Sequence, residues 1–167
     1  MTQAITFKTP WGYVEIAASE KGVTSIDLSP SNRRTSSRQQ QVGEDGAAAA
    51  LLTEAQTQLL AYIEGTRREF SLPVDMSAGT PFQRKVWKAI TRIPYGRVRS
   101  YQWVATRLGG KQYARAVGMA LGANPVPILV PCHRIIAHDG SLGGFGCGLP
   151  MKRRLLKLEG TLGQLAL

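Results

Sequence analysis

Cysteine and histidine are scarce in this chain: its 167 residues hold only Cys132, Cys147, His133 and His138. Two thiols cannot build the set of bridges that staples small secreted domains, and so few Cys and His argue against a structural zinc cluster. Long apolar runs are missing too; none approaches the roughly 18 residues that a membrane span needs. The opening MTQAITFKTPWG has no charged start, no long apolar centre and no small-residue cleavage site, so it does not read as a secretory signal. These absences predict a protein with free thiols and no membrane partner, cytoplasmic, or nuclear if its source is eukaryotic.

Acidic residues are nearly absent from the second half. Residues 80–167 carry 14 Lys/Arg against Asp139 and Glu159 alone, a net charge of +12, whereas residues 1–79 carry 7 Lys/Arg against 9 Asp/Glu, a net charge of −2. A basic half of this kind has the electrostatic footprint of a nucleic-acid binder, because an ordinary solvated surface mixes its signs.

What is present divides near Ser77–Gly79. Before it, AITFK, YVEIAA and VTSIDL alternate and are rich in β-branched residues, and TPWG and SEKG between them read as turns, so a small antiparallel meander is predicted. SPSNRRTSSRQQQVGEDG, residues 29–46, is polar and low in complexity and reads as a loop or linker. A helix follows over AAAALLTEAQTQLLAYIEG, with Leu51, Leu52, Ala55, Leu59, Tyr62 and Ile63 on one face and Gly65 closing it. REFSLPVDM reads as one more extended segment. The fold class expected is α+β, with a small sheet and a helix followed by a mainly helical half.

Beyond the boundary, Thr80-Pro81-Phe82-Gln83 is a capping box with proline at the first helical position, and Phe82, Val86 and Ile90 recur at helical spacing. SYQWVATRLGG predicts a short helix capped by Ser100, and QYARAVGMALGAN a second, with Val117 and Leu121 inward. Two short basic helices joined by a Gly-containing turn resemble a winged helix-turn-helix. The second helix is nearly bare, with Ala114, Ala116, Gly118, Ala120 and Gly122, and Arg115 as its one long charged side chain. Small residues there fit either tight packing on a neighbouring helix or close approach to a ligand. LPMKRRLLKLEG reads as a last helix, with Leu155, Leu156 and Leu158 packing.

The chemistry centres on NPVPILVPCHRII, residues 124–136. Three prolines stiffen the backbone, the Ile-Leu-Val block buries it, and Cys132-His133-Arg134 places a thiol beside a base and a cation. A thiol becomes nucleophilic as thiolate, which a base or a positive field favours. With Glu159 folded back toward His133, the parts of a Cys–base–carboxylate relay are present. On spacing alone, a lone cysteine beside a histidine is more often structural.

The longer strings are more specific. PCHR, preceded by NPVPILV and followed by GSLGGFGCGLPMKRRLLKLEG, together with GTPFQRKVWKAITRIPYGRVRSYQWVATRLG and ARAVGMALGANP, closely resembles the O6-alkylguanine-DNA alkyltransferases, also called methylated-DNA–protein-cysteine methyltransferases. The likeness runs in register over residues 79–160, and in the first half it is confined to TPWG and the strands around it. It implies a ribonuclease H-like α+β domain over residues 1–78 and a DNA-binding alkyltransferase domain over 79–167. It also implies a single-turnover repair protein that moves an alkyl group from O6 of guanine, and from O4 of thymine, onto its own cysteine. The partner implied is double-stranded DNA containing O6-alkylguanine, bound by a monomer with scope for cooperativity along the duplex, and no cofactor is required.

By that resemblance Cys132 is the acceptor, His133 the base acting through a bridging water, and Glu159 the group that orients the imidazole and favours its charge. Asn124 ties the active-site loop to the preceding helix. Tyr101 lies beside the extruded nucleotide and donates to the departing base, and Arg115 fills the stack that the base leaves. Backbone carbonyls of Cys132 and Ile135 accept from the guanine amino group, the amide of Gly146 reaches O6, and Ser100 and Phe145 complete the DNA and base contacts. Extrusion is physically required, because O6 is packed within the stack and a sulfur cannot attack it in line there. A helix of small residues also fits the narrow minor groove, unlike the polar major-groove reader of a usual helix-turn-helix.

Some positions depart from the family pattern. Phe145-Gly146-Cys147 stands where many relatives have a tyrosine, a small hydroxylated residue and a glycine. Phe145 therefore keeps an aromatic wall without a hydroxyl, and Cys147 is expected to narrow the pocket. The first half has no Cys or His, so the structural zinc of some relatives has no ligands here. Three other readings are weaker. An alkylated-DNA sensor that transfers nothing lacks the acceptor cysteine, a sequence-specific regulator carries polar base-reading residues, and a cysteine hydrolase needs an oxyanion hole that the sequence does not supply.

Overall fold

The computed structural model describes residues 2–28 and 46–165, in two compact units, 1–76 and 77–167. The loop expected over 29–46 lies outside the described residues except for Gly46.

In the first unit, β1 (Gln3–Thr9), β2 (Gly12–Ser19) and β3 (Gly22–Asp27) form an antiparallel sheet in the order β1-β2-β3. The β1–β2 turn is tied by Thr9 Oγ1 donating to the Gly12 carbonyl at 2.7 Å. Gly12 sits at φ 103°, a conformation that a side chain would oppose. Alternation buries Val14, Ile16 and Ala18 of β2, and α1 (Ala47–Ile63) buries Leu52, Ala55, Leu59, Tyr62 and Ile63. Leu51, expected on that face, is only half-buried. Gln58 is buried instead. Its amide donates to Glu54 and to Ser71 Oγ and accepts from the Ser71 N–H at 3.0 Å, which pins the following segment to the helix. The extended stretch expected over 68–76 is irregular apart from one parallel bridge, Val74 to Val23, closed by Val23 N–H to Pro73 and Asp75 N–H to Val23.

In the second unit, α2 (Pro81–Thr91) starts on the expected capping box. Thr80 Oγ1 accepts from the Gln83 N–H at 3.2 Å, and Gln83 Oε1 accepts from the Thr80 N–H at 2.9 Å. Val86, Trp87 and Ile90 are its buried face, and Phe82 is only half-buried. β4 (Arg99–Ser100) leads into α3 (Tyr101–Arg107), whose first turn is capped by Ser100 Oγ accepting from the Trp103 N–H at 3.0 Å. α4 is shorter than predicted, Ala114–Gly122, because Lys111–Tyr113 wind as a 3-10 turn after Gly109 and Gly110. The connection is thus longer than that of a minimal helix-turn-helix. β5 (Ile135–Ile136) pairs in parallel with β4, and α5 (Leu149–Leu158) follows, with Leu155 and Leu156 fully buried. Leu158, expected to pack with them, is half-buried.

The β4–β5 pair positions the chemistry. It sets the start of α3, and hence Tyr101, beside the residues that follow Cys132. Trp87 fixes the other side, its indole N–H donating to the Ala120 carbonyl at 2.8 Å. That carbonyl belongs to the last turn of α4, where carbonyls lack intrahelical partners. Ala120 is therefore small because a tryptophan packs there, so this part of the bare helix is explained by packing.

Candidate active site

Cys132, His133 and Arg134 form a single 3-10 turn at the end of the proline-stiffened loop. The approach to it is tightly wound. Pro131 closes an inverse γ-turn, with the Cys132 N–H on the Val130 carbonyl at 2.8 Å, and Ile128 holds φ 77°. A β-branched residue at positive φ is strained, and such strain concentrates at functional loops.

Asn124 organises this loop from the end of α4. Its Oδ1 accepts from the Val126 N–H at 2.9 Å, which fixes the amide's orientation. Its Nδ2 then donates to the Val130 carbonyl at 2.8 Å and to Cys132 Sγ at 3.2 Å. Burial pushes the Cys132 thiol up to about 11; the Asn124 hydrogen bond and the nearby Lys152 charge act in the opposite direction. At neutral pH the resting group is a thiol.

Behind it lies a fully buried relay. His133 Nε2 stands 2.8 Å from Glu159 Oε2, and Arg134 grips the same carboxylate with Nε to Oε1 at 2.8 Å and Nη2 to Oε2 at 3.0 Å. A third Arg134 donor reaches the Ile93 carbonyl at 2.6 Å. Burial would raise the Glu159 carboxyl, but the hydrogen bonds from His133 and Arg134 outweigh it and hold the group at about 2. An ionised carboxylate only accepts, so His133 carries its proton on Nε2, and Nδ1 is the basic nitrogen. Nδ1 is buried and has no hydrogen-bond partner among the described residues. Burial lowers the His133 pKa, with Glu159 opposing and Arg134 adding to the lowering, so the imidazole rests neutral.

Arg134 is therefore a member of the site with no role assigned from the sequence, although its place in the PCHR string made it visible. Glu159 stands against the imidazole as expected, and its charge is shared with Arg134 as a second donor. Lys152 gave no comparable signal, since a lysine on an amphipathic helix normally points to water. Here it is 0% exposed, and its ammonium donates to the carbonyls of Ile135 at 2.6 Å, Gly144 at 3.0 Å and Leu142. Burial lowers its pKa to about 8, against the pull of Cys132.

A cavity of about 210 Å³ opens onto Cys132, lined by Tyr101, Gly118, Gly122, Gly144, Phe145 and Gly146 among others. Gly118 and Gly122 thus serve the cavity, unlike Ala120. Tyr101 is fixed across it, its hydroxyl accepting from the Gly144 N–H at 3.2 Å, and burial raises its pKa. Gly143 must be glycine: it sits at φ 69°, and a Cβ there would lie 2.7 Å from the Tyr101 hydroxyl.

The remaining predicted residues are not all at the cavity. Ser100 caps α3 and does not line it. Ile135 is fully buried, and its carbonyl, expected to face a guanine amino group, already accepts from Lys152. Arg115 is exposed on α4. Cys147, expected to narrow the pocket, is half-buried and outside the lining, although near enough to Cys132 to add to the raising of that thiol's pKa. Sequence reasoning missed Met119, an apolar side chain 74% exposed one turn from Arg115.

Two family profiles match the chain: "6-O-methylguanine DNA methyltransferase, ribonuclease-like domain" over residues 4–76 and "6-O-methylguanine DNA methyltransferase, DNA binding domain" over 81–161. A methylated-DNA–protein-cysteine methyltransferase of Methanosarcina barkeri is 39% identical over 153 residues, covering 91% of this chain and 93% of its own length. One from Mycobacterium bovis is 51% identical over 102 residues, 61% of each chain. Among solved structures, the Mycobacterium tuberculosis OGT in complex with DNA superposes with a TM-score of 0.77 at 38% identity, covering 95% of this chain and 93% of that one.

Proposed function

The chain belongs to the 6-O-methylguanine DNA methyltransferase family, DNA-binding proteins that repair DNA by moving an alkyl group to a cysteine, and from this premise we propose that Cys132 is the acceptor and O6-alkylguanine in duplex DNA the donor. The observation that carries the assignment is the meeting of three features at one sulfur. Cys132 Sγ faces a cavity walled by glycines, accepts a hydrogen bond from Asn124, and precedes a buried histidine whose free nitrogen is the basic one.

The alkyl carbon bonds to Sγ as its bond to O6 breaks, and that electron pair returns to the guanine. The thiol proton leaves to His133 Nδ1. Sγ and the ring are not hydrogen-bonded directly, so one water bridges them. The imidazolium that forms is stabilised by Glu159, which Arg134 keeps ionised and in place. Tyr101 passes its hydroxyl proton to the departing base and recovers one from solvent. Glycine walls admit a planar purine edge, and the Gly146 amide is the donor assigned to O6. Because nothing in the relay removes the alkyl group from sulfur, each molecule acts once. O4-alkylthymine, smaller and with a similar acceptor edge, is a second substrate of the same site.

Incubation with duplex containing O6-methylguanine, followed by peptide mass spectrometry, tests the reading. One methyl per molecule is expected on the peptide containing VPCHR, and none in Cys132→Ala, which still binds DNA. Turnover beyond one equivalent, or methyl on Cys147, overturns it.

A further inference from the structure

A second cavity, larger than the one at Cys132 at about 340 Å³, lies between the end of α2 and α3. Its lining shares no residue with the Cys132 cavity. Arg92, Arg99 and Arg107 surround it, with Trp103 between them and Ile93-Pro94 as one wall. Successive helical residues turn by about 100°, so Trp103 projects roughly 200° away from Tyr101 on α3. The two cavities therefore use opposite sides of the same short helix.

Three guanidinium groups around one opening repel one another, and among the described residues no carboxylate neutralises them. Residues 80–167 contain only two acids: Glu159 is held by His133 and Arg134, and Asp139 accepts from Ser141. Among the described residues none of the three arginines makes an ion pair. Trp103 supplies order in place of a counter-charge. The Arg107 guanidinium lies 4.0 Å from its ring centroid and that of Arg99 5.4 Å. Stacking on the indole restricts both groups while leaving N–H edges to bond outward. Arg99 spends one donor on the Val98 carbonyl at 2.9 Å. A paired, planar donor set with an aromatic floor and no carboxylate suits phosphate oxygens, which guanidinium forks grip in bidentate fashion.

We propose that this cleft is a second DNA-backbone site, holding phosphodiester groups away from the nucleotide presented to Cys132. These groups come either from the flank of the same duplex or from a second DNA segment. A repair protein that must accept any sequence gains from such a contact, because backbone binding carries no base information.

The test uses the full chain, Arg92→Gln/Arg107→Gln, both exposed positions, and a short undamaged duplex, with inorganic phosphate as a competing probe. Loss of two backbone contacts predicts that the slope of log affinity against log salt falls by about two units. Transfer from free O6-methylguanine base to Cys132 is expected to stay unchanged, which separates failure here from failure of the acceptor assignment. Stoichiometry by sedimentation identifies the source. A drop from two duplexes to one per protein marks a second segment, and a constant value of one marks the flank of the same duplex. An unchanged salt slope overturns the proposal. So does displacement of duplex by phosphate as effectively as by competing duplex, which would make the cleft a small-anion site.

Discussion

At the scale of single residues, the site separates nucleophile from charge. Cys132 is a thiol at rest, pushed up to about 11 by burial, so on the proposed mechanism it becomes a nucleophile only when His133 takes its proton. Labelling with iodoacetamide, a reagent that brings no base of its own, is therefore expected to be slow at pH 7. Its rate should keep climbing beyond pH 9 and level off only near 11. A plateau near pH 7, read by mass spectrometry of the VPCHR peptide, would mean a resting thiolate. Lys152 carries the second prediction. Holding its ammonium at about 8 rather than about 10.5 costs about 3 kcal/mol. Removing a donor from buried carbonyls costs roughly 1–3 kcal/mol each. With three carbonyls the loss is about 3–9 kcal/mol, equal to or larger than the relief, so Lys152→Met should leave stability unchanged or lower it by up to about 6 kcal/mol. Transfer should nevertheless fall at least roughly tenfold, because a misplaced wall is costly to catalysis. A denaturation midpoint measured beside the transfer rate separates the two effects.

At the scale of elements, α4 divides its small residues between two tasks. Ala120 yields to Trp87, whereas Gly118 and Gly122 border the cavity and Arg115 and Met119 project from the exposed face. An exposed arginine that only attracted phosphate would reduce the salt slope by about one unit and slow every substrate's capture modestly. A side chain that fills the emptied stack acts only when there is a stack. Arg115→Ala should therefore slow transfer from duplex far more than transfer from the free alkylated base. Equal slowing on both substrates, measured in single-turnover assays, refutes the wedge role. Met119→Ala offers a graded comparison on the same face.

At the scale of the whole molecule, the buried relay makes folding sensitive to acid. Glu159 is held at about 2 in the folded chain against an ordinary value of about 4.3. A carboxyl depressed by folding adds stability above its unfolded value and loses it as pH falls toward the folded one. The loss, about 3 kcal/mol at most, is thus expected between about pH 4.5 and 2. His133 acts in the same direction at higher pH. Its folded pKa is lowered, so below about pH 6.5 the unfolded chain takes up its proton first and stability declines. Denaturant midpoints from pH 7 to 3 should fall in two stages, and Glu159→Gln should flatten the lower one.

Much of this was legible in the chain because it rests on local rules. The Thr80–Gln83 capping box, the Ser100 cap, the alternation in β2 and the stiff loop before Cys132 are each decided by neighbours a few residues apart. Charge was legible as well, since it is a property of composition. What sequence could not decide was which polar groups are buried together, because burial depends on contacts distant along the chain. Lys152 sits on a helix where a solvated lysine is normal, and only the carbonyls of Ile135, Leu142 and Gly144 brought over it make it an internal cation. Arg134 adjoins His133 in sequence, but its grip on Glu159 spans 25 residues. Three arginines and a tryptophan around one cleft are likewise unremarkable until α2, β4 and α3 pack together. The sequence by itself determined most of the elements, the placing of a thiol beside a histidine and an arginine, and the basic character of the second half. The tertiary structure decided the protonation states, because desolvation and distant hydrogen bonds set those.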